Sequence, residues 1–83
     1  MADVVITFVD EERNRSHDIV VPDWITADEF IGAMCQAYAL SARDTDARRF
    51  MRMEHPIGLL RGNYTLAELG MRDGAVVYSG KRG

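Results

Sequence analysis

The 83-residue chain has a single cysteine, Cys35, so no intramolecular disulfide can form, and small secreted scaffolds that depend on such staples are excluded. It has no excess of basic residues. The formal charge of −3 argues against a general nucleic-acid binder, because such proteins owe most of their affinity to Lys and Arg neutralising phosphates. Nowhere do about 18 apolar residues run together, and the opening "MADVVITFVDEERN" carries no basic segment leading into an apolar core and a cleavage site. A protein working in the reducing cytoplasm, with no membrane insertion of its own, is the expectation. Repeats, low-complexity tracts and linkers are also missing, so residues 1–83 are read as one small domain that must pack its core tightly.

What is present is a pattern of alternating and helical periods. "VVITFV", Val4 to Val9, is a β-branched and aromatic run of strand length. The polar stretch from Asp10 to His17 reads as a hairpin loop, and Asp18 to Val21 as the returning strand, stopped by Pro22, which has no backbone donor. At "PDWITADEFIGAMCQAYAL" the period changes to 3.6. Thr26 is an N-cap with Glu29 three residues on, Ile25 and Phe30 occupy the positions of a hydrophobic staple, and Asp28 and Glu29 suit the positive end of a helix. Phe30, Ile31, Met34, Ala37 and Tyr38 form the apolar stripe expected to lie on the sheet.

After the charged segment "SARDTDAR", the stretch "RFMRMEH" alternates as a third strand, broken by Pro56 and Gly58, and "IGLLRG" offers a short further one. In "YTLAELGMRDGAVVY", Thr65 begins a single helical turn, Gly70 ends it, and Arg72 to Gly74 turn the chain into a last strand. These pieces predict an α+β fold with one helix on one face of a mixed sheet of four to five strands. The first and last strands are expected side by side at its centre.

That order resembles the ubiquitin-like β-grasp fold across essentially the whole chain. "VVPDWIT" resembles the approach to the helix in ubiquitin, and "YTLAELGMRDGAVV" resembles its Thr-Leu turn, buried aliphatic and final strand. Within that superfamily, the size, the "TLAELGMRDG" stretch and the lack of a diglycine end look most like the YukD-like family. The resemblance implies a small bacterial ubiquitin-fold protein associated with type VII secretion, non-catalytic, with protein partners that include membrane-bound secretion components.

The chemistry-bearing residues are few. Ubiquitin and the related sulfur carriers end in two glycines, whereas Arg82 precedes Gly83 here, which argues against a covalent tag; modification or sulfur carriage through Gly83 is the alternative reading. The residues from about 79 to 83 are expected to form a polar, flexible tail. Cys35 falls mid-helix, His17 in the hairpin and His55 before Pro56, with no nucleophile, base and orienting group recognisable as a set. One cysteine and two distant histidines offer no zinc pair, and "DTD" at Asp44 to Asp46 lacks the glycine and glutamate of a calcium loop. No metal or cofactor is expected.

A protein-binding surface remains. In "RRFMRMEH", strand alternation puts Met51 and Met53 on one face and Phe50 and Arg52 on the other. If the methionines face inward, Phe50 is exposed among Arg48, Arg49 and Arg52, an aromatic flanked by arginines with the composition of an interface anchor. A one-residue shift of register would tuck Phe50 under the core instead. In the ubiquitin fold the outer face of this strand and the last one forms the main recognition patch, so Phe50, Arg52, Arg49 and Tyr78 are the candidate protein-binding residues.

Overall fold

The computed structural model describes residues 2–38 and 50–80. Strand β1, Asp3–Asp10, sends Val4, Ile6, Phe8 and Asp10 to one side and Asp3, Val5, Thr7 and Val9 to the other. It pairs antiparallel with β2, Arg15–Pro22, in unbroken register from Asp3 opposite Pro22 to Asp10 opposite Arg15. The loop is therefore residues 11–14 alone, shorter than the polar stretch suggests. Asn14 takes a φ of 56°, a left-handed conformation that asparagine tolerates, and this lets Arg15, Ser16 and His17 join the ladder. His17 thus belongs to a strand and not to the hairpin loop.

The helix α1, Ala27–Ala37, starts where the capping pattern places it. Thr26 Oγ1 accepts from the Glu29 N–H and the Glu29 carboxylate accepts from the Thr26 N–H, at 3.2 and 2.9 Å. Ala27, Phe30 and Ile31 are its buried residues, with Met34, Cys35 and Tyr38 packed against the core. Ala37, expected on this stripe, is exposed; Ala27 takes its place because the helix leans on the sheet by its N-terminal half.

Three short strands complete the sheet: β3, Met51–Glu54, β4, Gly58–Leu60, and β5, Val76–Tyr78. Gly58 begins β4 rather than ending the preceding strand. The order is β2-β1-β5-β3-β4, with β1 and β5 parallel and every other neighbouring pair antiparallel. The first and last strands are adjacent at the centre, as the β-grasp layout requires. Before β5, Thr65 and Glu68 repeat the capping exchange of α1, with Glu68 N–H donating to Thr65 Oγ1 at 3.1 Å and Thr65 N–H to Glu68 at 2.8 Å. Gly70, at φ 90°, closes that turn in a conformation that side chains with a Cβ resist.

Phe8 and Phe30 meet edge to face, 6.5 Å between centroids, in a core completed by Ile6, Met51, Met53, Leu60, Leu66 and Val77. Each such side chain contributes about 1.5–3 kcal/mol on leaving water. The expected tail does not begin at residue 79. Ser79 is 1% exposed; its N–H donates to Val9 O and its Oγ accepts from the Glu11 N–H, at 3.0 and 2.9 Å. Residues 81–83, including Gly83, lie outside the described residues.

Candidate protein-docking face

The helix covers one face of the sheet and leaves the other to solvent. Strand alternation decides what that open face carries. Met51 and Met53 are each 1% exposed, so Phe50 and Arg52 point outward, and Phe50 is 52% exposed. Pairing registers then place Val9, Tyr78, Arg52 and Leu59 in one row across β1, β5, β3 and β4, with Glu54 beside Val76 in the next row. Two of the predicted residues, Arg52 and Tyr78, are thereby brought face to face. Arg49 and its neighbour Arg48 lie outside the described residues.

The charged side chains on this face are held in place. The Arg52 guanidinium carbon sits 4.8 Å from the Tyr78 ring centroid, and Arg52 Nη2 donates to Glu11 at 3.2 Å. Glu11 also accepts from the Gly80 N–H at 2.8 Å, so one hairpin carboxylate positions both the arginine and the end of β5. Tyr78 donates its hydroxyl proton to Glu54 Oε1 at 2.9 Å. That hydrogen bond, with burial and the Glu54 charge assisting, raises the Tyr78 pKa above its ordinary value and keeps the phenol neutral. The face therefore offers an exposed aromatic and a pre-oriented arginine, with Leu59 alongside, 46% exposed. Such a surface can hold a partner's apolar and acidic groups together.

Glu11, Glu54 and Leu59 are not among the residues expected here from the sequence. Glu11 acts on a strand 41 residues away, which only the folded sheet discloses. Leu59 was legible in principle, since adjacent leucines in a short strand must point to opposite faces.

The residues weighed for catalysis fall elsewhere. Cys35 is partly buried on α1, packed against the core. The His17 ring stacks on Tyr38 at 4.7 Å, on the helix side of the sheet, and His55 is exposed in the turn between β3 and β4. Among the described residues, no group of three or more His, Cys, Asp or Glu is placed to hold a metal ion. No helix among them is long and apolar enough to cross a membrane.

No protein-family model and no curated protein matches the chain. Solved structures do. The ubiquitin of Caldiarchaeum subterraneum superposes with a TM-score of 0.64 at 20% identity, covering 99% of each chain. The ubiquitin-like domain of Plasmodium falciparum Dsk2 gives 0.64 at 10% identity, over 95% of this chain and all of that one. A chain of a toluene 4-monooxygenase HD complex gives 0.60 at 16% identity, over 95% of this chain and all of its own. At such identities the likeness speaks for the fold alone, and the fold is the ubiquitin-like β-grasp.

Proposed function

We propose that the chain is a non-catalytic ubiquitin-like adaptor that docks on larger proteins through the outer face of β3 and β5. The observation that carries this reading is Phe50, an aromatic left about half exposed beside an arginine that Glu11 and Tyr78 already hold in place. Ordering a side chain on binding costs free energy, and Arg52 has met that cost beforehand. The resemblance of "VVPDWIT" and "TLAELGMRDG" to the YukD-like pattern supports a setting in a bacterial type VII secretion system, with the adaptor on the cytoplasmic side of membrane-bound components.

The test is affinity purification of the N-terminally tagged protein from its own cells, under native and denaturing conditions, with mass spectrometry as the readout. Secretion-system components are expected in the native sample only, and Phe50→Ala with Arg52→Ala should reduce their recovery at least tenfold while the circular dichroism spectrum is unchanged. Full recovery with the double variant would move the interface off this face. Adducts that survive denaturation through Gly83 would make the protein a covalent modifier instead.

A further inference from the structure

The two edges of the sheet differ. Strand β4 has three residues, whereas β2 has eight and runs its whole length without a bulge. Folded proteins blunt long edges with lysines, bulges or prolines, because a row of unpaired backbone groups invites another strand. β2 has no lysine, and its proline stands at the last position.

The ladder fixes which groups are open. Val5 O, Thr7 N–H and Val9 O are engaged with Gly74, Ala75 and Ser79, so the odd residues of β1 turn their backbone toward β5. Residues 4, 6, 8 and 10 consequently face β2, where their opposites are Val21, Ile19, His17 and Arg15. That leaves the N–H and C=O groups of Ser16, Asp18 and Val20 pointing away from the sheet. Among the described residues, no hydrogen bond reaches these groups. Val20 is also 63% exposed on the outer face.

We infer that β2 is a self-association edge, on which two copies pair antiparallel about a twofold axis at Ile19. A twofold perpendicular to the sheet keeps like faces together, so residues of equal parity must meet. A register centred on Asp18 sets two carboxylates directly opposite each other, which is unfavourable. Centring on Val20 puts the inner Asp18 opposite Pro22, which has no N–H to give, whereas centring on Ile19 moves Pro22 out to the terminal Ser16 and leaves both inner pairs complete. Centring on His17 opposes the two histidines and leaves the outward groups of Val20 beyond the partner strand. With Ile19 at the centre, the N–H of Asp18 donates to the C=O of Val20 in the second copy, and the C=O of Asp18 accepts from the N–H of Val20. Half-buried Ile19 then covers its own counterpart. The same register carries Arg15 toward Asp23 of the second copy, an attractive pair just past the strand end. This edge lies across the sheet from β3, so both surfaces can be engaged at once.

Sedimentation equilibrium of the full chain between about 10 µM and 1 mM should reveal a monomer–dimer equilibrium, which mass action displaces toward dimer as concentration rises. Val20→Pro removes an outward N–H without touching the β1 ladder, and Val20→Glu sets a carboxylate directly opposite Asp18 of the second copy. Either should weaken the dimer at least tenfold, the glutamate variant serving where the proline one fails to fold. For the register, Ile19→Cys in a Cys35→Ala background should cross-link between copies on mild oxidation, because such non-hydrogen-bonded pairs bring Cα atoms to about 4.5 Å. Val20→Cys should not. A wild-type protein monomeric throughout the range, or a dimer indifferent to Val20→Glu, would overturn the inference, and preferential cross-linking at position 20 would overturn the register.

Discussion

At the scale of single residues, two carboxylates carry a measurable acid sensitivity. Glu29 and Glu68 each accept a backbone N–H and a hydroxyl hydrogen bond from the threonine three positions earlier, which lowers their pKa values from the ordinary 4.5. A folded-state pKa below the unfolded one contributes stability that is present above the unfolded value and lost as pH falls through the folded value. Urea midpoints recorded from neutral pH down to about pH 3 should fall less steeply for the double variant Glu29→Gln, Glu68→Gln, since glutamine still fills the cap but does not titrate. Identical pH profiles for the variant and wild type would remove these caps from the account. Tyr78 behaves in the opposite sense. Its raised pKa favours the neutral form in the fold, so its contribution is complete below the unfolded value and lost as pH rises past it.

At the scale of elements, two glycines predict changes of opposite sign. Gly32 lies on the exposed side of α1, where an added Cβ meets nothing within 4 Å, so Gly32→Ala should stabilise the protein by about 0.5–1 kcal/mol. Gly70 sits at φ 90° with its would-be Cβ 3.4 Å from Pro56, and Gly70→Ala should destabilise by about 1–2 kcal/mol. Urea denaturation of both variants, with unchanged slopes, checks the pair; a shift of the same sign in both would refute the backbone argument. These elements also mark how far the sequence alone could be read. The Thr26–Glu29 box, Thr65 as the start of a turn, the β1 alternation and the Gly70 stop are local signals, and each led to the right element. The start of β2 did not, because Arg-Ser-His is a strand only by virtue of lying opposite β1 at an edge. Residue 79 failed for a related reason: a polar serine is buried there while its N–H donates to Val9 and its hydroxyl accepts from the Glu11 N–H, contacts that only the folded sheet supplies. Phe50 was half legible, with alternation leaving two faces open until the inward methionines decided between them.

At the scale of the molecule, the hairpin turn and the end of β5 form one unit. Ser79→Ala would strip the acceptor from the Glu11 N–H, and leaving that group unpaired should cost about 1–3 kcal/mol. It should also loosen Glu11 from Gly80 and Arg52, so faster amide exchange at Gly80 and weaker docking through Arg52 should appear together in hydrogen exchange and binding measurements. Loss of stability with both of those unchanged would show the unit to be two separate contacts.

The parallel pairing of β1 with β5 has a mechanical consequence. A load applied through Ala2 and Gly80 pulls the two central strands past each other along their length, since the chain enters at the start of one and leaves at the far end of the other. Their hydrogen bonds, Thr7 with Ala75, Val9 with Ser79 and those between, then share the force in shear and must fail together rather than open one at a time. A tether drawn through the two ends meets the stiffest direction in the fold, whereas the edges β2 and β4 can be peeled away strand by strand.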